Sequence, residues 1–200
     1  MQQTATPDEG LRARQKRARR EALIDATHRL VAEHGLDAVT VEAICDEAGV
    51  SVRTFFNYFD SKDDAVLGHV PWIDASAEAE EFVAGGPTGH LLDDLQALVA
   101  AHLAAPPGHE RLRRTMELAC HEPRLMAKHL AAIEQHKGQL VQVVERRLGP
   151  DSDLPADVVA ALGMFLTHAT FLRWEAAAGA GSPFDHLGLV VEQFRRIAAD

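Results

Sequence analysis

The sequence predicts an all-α fold, and three observations lead there. Apolar residues recur at i, i+3/i+4 along most of the chain, the spacing of one helix face. Strand signals are weak: β-branched residues are scattered, tyrosine occurs once, and no hairpin dipeptide separates alternating runs. Glycine and proline gather at breaks, namely Pro71, Gly85-Gly86-Pro87, Pro106-Pro107-Gly108, Pro123, Gly149-Pro150 and the stretch from Gly179 to Pro183.

Residues 1–11 read as floppy, and the first domain is set to begin at residue 17, leaving 1–16 as a disordered basic tail. Six basic side chains crowd Arg12 to Arg20. Leu23, Ile24, Thr27, Leu30 and Val31 then make one apolar helix face, and Gly35 suits the position after a helix end. Thr40 is an N-cap for a short helix over Val41, Ile44 and Ala48, with Glu42 in its first turn. Ala48-Gly49-Val50 is a tight break. Ser51 caps a helix over Val52 to Phe59, and Ser61 with Asp64 resembles a capping box opening a fourth. Short helices joined by a few residues around glycine form the helix-turn-helix pattern. Further helices are expected at about 61–70, 72–84, 88–105, 109–121, 124–148, 155–178 and 184–198.

The 200 residues are 46% hydrophobic and 25% charged, an ordinary globular mixture that excludes a collagen-like or largely disordered chain. The formal net charge is −10, so any affinity for nucleic acid must come from a local patch. The acidity lies mainly in the second part. Residues 1–66 carry nine Lys and Arg against twelve Asp and Glu, and the remainder eleven against eighteen. Two cysteines, Cys45 and Cys120, are too few for a disulfide scaffold. No secretory signal or membrane span is read, and a cytoplasmic protein is expected. Cys45 reads as a small core residue.

On the helix that Ser51 opens, positions 100° apart put Phe55 and Phe59 together with Val52 beside them, facing the core. Asn57 falls opposite, flanked by Arg53 and Thr54, while Phe56 and Tyr58 occupy the sides. A guanidinium, a hydroxyl and an amide on one outward face can hydrogen-bond base edges in a major groove. The Tyr58 phenol suits a phosphate oxygen. Lys62 opposes the dipole of its own helix, an oddity that a phosphate at that helix start would reverse. Thr40 could grip another phosphate, and the basic run, Arg14 and Arg17 included, could lie along the DNA backbone or reach a minor groove. Ser51, at the head of the reading helix, completes the DNA-facing set.

The stretch Thr40-Val-Glu-Ala-Ile-Cys-Asp-Glu-Ala-Gly-Val-Ser-Val-Arg-Thr-Phe-Phe-Asn-Tyr-Phe-Asp-Ser-Lys62 resembles the TetR-family DNA-binding domain, as does the preceding Ala32-Glu33-His34-Gly35. The resemblance covers about residues 17–68. It implies a homodimer, a palindromic double-stranded DNA operator, and a C-terminal domain that binds a small-molecule effector and releases DNA. It places DNA contacts on Thr40, Thr54, Phe56, Tyr58 and Lys62. Two departures stand out: Cys45 occupies a position where a small apolar residue is usual, and Asp60, Asp63 and Asp64 surround Lys62 with negative charge. Residues 69–200 are then the ligand-binding and dimerisation domain. A looser resemblance, from Glu110 through Glu122-Pro123-Arg124-Leu125 to Leu172-Arg173-Trp174, is to mycofactocin-type TetR regulators, and it hints at an acyl-thioester or other elongated apolar ligand.

The last two predicted helices carry excess apolar surface, which suggests self-association through a four-helix bundle. Val159, Leu162, Leu166, Val190, Phe194 and Ile197 are the interface candidates. An effector pocket between the central helices is expected to draw on Trp72, Met116, Cys120, Met126, His129, Phe165, His168 and Phe171. The eleven histidines show no helical zinc spacing with an acidic partner, so neither metal nor cofactor is expected. A helical enzyme is the competing reading, but no nucleophile–base signature or glycine-rich phosphate loop supports it. A helical interaction protein without a DNA role is the other.

Overall fold

A computed structural model describes residues 7–68, 76–103 and 109–199. The helices are α1 (Pro7–His34), α2 (Val41–Ala48), α3 (Val52–Phe56), α4 (Lys62–Leu67), α5 (Ala77–Val83), α6 (Leu91–Leu103), α7 (His109–His121), α8 (Pro123–Leu148), α9 (Ala156–Ala176) and α10 (Pro183–Ala199). No strand occurs among the described residues. Two expected boundaries move. The first helix begins at Pro7, inside the segment read as a tail, because proline's fixed φ suits a first helical turn and no breaker lies beyond Gly10. The helix after Ser51 stops at Phe56, and Asn57 and Tyr58 form a turn.

The chain divides into two compact units. The first comprises Met1–His69 with Arg113–His129, the second Val70–Leu112 with Leu130–Asp200. A single break near residue 68 was the expectation. Residues 113–129 instead join the first unit because Ala119 and Leu125 are fully buried with Leu23, Ile44, Phe55 and Val66 in one core. Polar groups tie the same layer. His28 Nε2 donates to the Val66 carbonyl at 2.7 Å, and the Thr115 hydroxyl lies 3.4 Å from both.

In the second unit α5, α6, α8 and α9 pack around Phe82, Leu95, Leu98, Leu140 and Val144. A further cluster joins α6, α9 and α10 through Val99, Leu103, Leu166, Leu187 and Val191. Gly163 lets three helices close up: a Cβ there would sit 2.8 Å from Leu140 and 3.2 Å from Leu95. Asp94 is fully buried yet satisfied. It accepts 2.7 Å hydrogen bonds from the Thr88 amide and hydroxyl, and one of 2.8 Å from Arg147. The Arg147 guanidinium also lies over the Phe82 ring, 5.7 Å from its centroid.

Burial pushes the Asp94 carboxyl up, but the Thr88 hydrogen bonds and Arg147 outweigh it and hold the carboxyl below its usual range. Its stabilising contribution is therefore complete above the ordinary carboxylate range and is lost as pH falls through the lowered folded value. Asp94→Ala strands Arg147 and should destabilise the second unit by about 3 kcal/mol at neutral pH. Urea denaturation followed by circular dichroism checks this, and the gap from wild type should shrink on acidification.

Candidate nucleic-acid interface

Local capping builds the motif. The Thr40 hydroxyl accepts the Ala43 amide at 3.2 Å and starts α2. Gly49, at φ +65°, ends it, its amide donating to Asp46 and that of Val50 to Cys45. The Ser51 hydroxyl then accepts the Thr54 amide at 3.1 Å and starts α3. Phe55 is fully buried and Phe59 nearly so, their ring centroids 5.7 Å apart. Cys45 is buried in the same core, and burial, with Asp46 and Glu42 nearby, pushes its thiol up.

The outward side carries Arg53, Phe56 and Asn57, all exposed, with Thr54 and Tyr58 half-buried. Val52 differs from its expected place beside Phe55: it sits exposed at the head of the helix, where the chain has just entered from Ser51. Thr40 and Ser51 are exposed too, but both hydroxyls already serve as caps, and Ser51 also lies 2.9 Å from the Thr54 hydroxyl. Arg14 and Arg17 are exposed on α1. Arg20 stacks over the Phe59 ring at 5.0 Å, which brings the basic flank of α1 to the far end of α3.

Lys62 has a different job from the one its position suggests. Its ammonium donates to the Leu36 and Val39 carbonyls, each at 2.7 Å, and meets the Asp37 carbonyl at 3.5 Å. An ammonium has three donors, and the turn after α1 takes up all of them. This explains the cation in the first turn of α4 without any phosphate. Of the acidic crowd around it, Asp63 and Asp64 are also paired. Arg124 contacts Asp63 at 3.5 Å and Asp37 at 2.9 Å, while Lys128 contacts Asp64 at 2.8 Å. Arg124 and Lys128 were missed from the sequence. The available signal was Arg124 in the first turn of a long helix, where the dipole disfavours a cation.

The effector candidates are divided. Met116, Cys120, Met126 and His129 belong to the first unit, where Met126 packs on its core and Cys120 is exposed. Burial holds His129 below the usual imidazole range. Phe165, His168 and Phe171 belong to the second unit, with Phe165 and His168 exposed and Phe171 packed 6.2 Å from Trp174. Trp72 lies outside the described residues. Sequence reasoning passed over His102, whose pKa burial and the neighbouring His136 push down to about 4, leaving a neutral imidazole inside the second unit. An open depression of 580 Å³ at the α8–α9 turn is lined by Arg146, Leu148, Pro150 and Leu154, and by none of the effector candidates. Among the described residues no cluster of three His, Cys, Asp or Glu is placed to hold a metal ion.

The interface candidates need correction by one helical step. Val159, Leu166 and Val190 are buried in the second unit's own core, and Leu162 packs partly against it. The exposed apolar face of α9 is Val158, Phe165 and Leu172, and that of α10 includes Leu189 and Ile197. Phe194 is half-buried, 6.4 Å from Phe165 between ring centroids. Because α9 is apolar on two sides, the sequence could not say which side packs inward.

The comparisons with known proteins agree with this geometry. Residues 23–67 match the family described as bacterial regulatory proteins, tetR family. The HTH-type transcriptional regulator TcmR of Streptomyces glaucescens is 31% identical over 186 residues, 82% of this chain and 78% of the relative. MftR of Mycobacterium tuberculosis, named as a mycofactocin biosynthesis transcriptional regulator, is 27% identical over 95% of this chain and 100% of its own length. Two solved structures share the fold. NalD, the secondary repressor of the MexAB-OprM multidrug efflux pump in Pseudomonas aeruginosa, superposes with a TM-score of 0.52 at 15% identity, covering 92% of this chain and 96% of that one. FadR of Bacillus subtilis, solved with stearoyl-CoA, gives 0.51 at 18%, covering 86% and 95%. No helix among the described residues is long and apolar enough to cross a membrane. Capped helices around Gly49, an outward guanidinium and amide, and relatives that are transcriptional regulators lead to one conclusion: the chain belongs to the TetR family of DNA-binding bacterial regulatory proteins.

Proposed function

We propose that this protein is a ligand-responsive repressor that binds a palindromic operator as a homodimer. The observation that carries the reading is the exposed side of α3 and the turn after it, where Arg53 and Asn57 face outward while Phe55 and Phe59 anchor the other side. Arg53 suits bidentate pairing with guanine, and Asn57 with adenine. Tyr58, Thr40 and the cations Arg14 and Arg17 suit phosphates. The basic flank of α1 supplies the local positive charge that a chain of net charge −10 otherwise lacks.

The dimer forms through α9 and α10. Val158, Phe165 and Leu172 recur every seven residues on one exposed stripe, and Ile197 is 76% exposed. Apolar surface of this kind calls for a partner, and a second copy supplies one that sets the spacing of two reading helices. The effector is a small, largely apolar molecule, an acyl thioester being one such form. Its support is the fold shared with FadR, whose structure holds stearoyl-CoA. An effector that favours one spacing of the reading helices shifts the population away from the DNA-competent state.

A gel shift with the promoter region beside its own gene tests the reading, and binding should weaken steeply with salt. Arg53→Ala should relax preference at one base position by about 1–3 kcal/mol, read from selection of bound random DNA. Lys62→Ala should lower the melting temperature by removing about 2 kcal/mol of carbonyl contacts, and should leave the salt slope of DNA binding unchanged. Phe165→Asp should give a folded monomer by light scattering. Leu166→Ala should instead destabilise the fold by about 2–5 kcal/mol in urea denaturation.

A further inference from the structure

The start of α4 is held from two sides, and only one of them belongs to the DNA-reading motif itself. Lys62 reaches back to the turn after α1. From the other side, Lys128 donates to the Ser61 hydroxyl at 2.9 Å and pairs with Asp64 at 2.8 Å. Arg124 bridges Asp37 in the turn after α1 and Asp63 in α4. Ser61 is the N-cap of α4 and lies two residues beyond Phe59, the anchor of the reading segment. Arg124 stands in the first turn of α8, against its dipole, and Asp37 and Asp63 offset that cost, while Lys128 meets Asp64 one turn further on.

We propose that Arg124 and Lys128 are positioning residues for DNA binding: they fix the start of α4, and through it the end of the reading segment, while neutralising carboxylates that would otherwise repel the DNA backbone. The proposal rests on α3 being the segment that meets DNA. The pairs range from partly to largely exposed, and pairs of that kind add little to overall stability. What they add is geometry and local charge balance. Asp60, Asp63 and Asp64 follow directly on the reading segment, and two of the three have a cation from α8 against them. Neither cation needs to touch DNA for this, so its loss should weaken binding without removing a phosphate contact.

Fluorescence anisotropy with a DNA duplex selected by the full-length wild-type protein provides the test. Arg124→Ala with Lys128→Ala should lower affinity about tenfold at moderate salt, and added salt should narrow the gap from wild type as it screens the uncovered Asp63 and Asp64. Arg17→Ala, removing a phosphate contact, should reduce the slope of log affinity against log salt by about 1, and neutralising Asp63 and Asp64 should not restore it. Adding Asp63→Asn and Asp64→Asn to the double variant should recover part of the affinity. Hydrogen exchange at the α4 amides of the DNA-free double variant should quicken. If the alanine pair fails to fold, Lys128→Met keeps the aliphatic stem and removes the charge, and the same readouts apply. Wild-type affinity in the variants overturns the proposal, and so does an affinity loss that Asp63→Asn with Asp64→Asn leaves untouched, since that marks direct phosphate contact. A wild-type protein that retains no duplex at all overturns the DNA-reading assignment of α3 instead.

Discussion

A helix of five residues has no stability of its own, so the face that α3 turns outward is decided by what its other face buries. Phe55 and Phe59 make that choice. Their burial against α1, with Ala119 and Leu125 closing the same core, leaves Arg53 and Asn57 no inward option. Side-chain caps at Thr40 and Ser51 satisfy the amides at the two helix starts, and Gly49 makes the reversal between them. Recognition chemistry at the surface is thus a consequence of packing underneath it.

Charge is arranged on the same logic. The chain is acidic overall, yet cations are placed where backbone or carboxylate oxygens would otherwise be left in excess. Lys62 serves the turn after α1, Arg124 and Lys128 serve the start of α4, and Arg147 serves the buried Asp94. The exposed arginines of α1 and its single lysine, Lys16, supply the positive surface. Net charge alone would argue against a nucleic-acid partner, and only the local arrangement of cations turns that argument round.

Much of this was legible in the sequence. Capping residues and glycine marked the short helices, and 100° steps separated Phe55 and Phe59 from Arg53 and Asn57. Four things were not legible. The helix length after Ser51 was overstated, because propensity does not reveal where tertiary packing ends a helix. The inward side of α9 lies one residue from where the sequence put it, because Val158 and Val159 are equally apolar and only a neighbour can choose between them. The role of Lys62 was obscured because its partners are carbonyls about twenty-five residues upstream, and backbone oxygens carry no sequence signal. The cations of α8 escaped for the same reason of distance, their partners lying about sixty or more residues away in the chain.

The first unit is built from two stretches separated in the chain by more than forty residues. A reading head made this way is not a portable cassette. Transplanting residues 1–68 alone onto another regulator would carry the side chains that meet DNA but leave behind Thr115, Ala119 and Leu125, part of the floor they stand on. Chimeric regulators made at the apparent domain joint would inherit a mismatched interior, and successful grafts would have to take the distant helical segment with them.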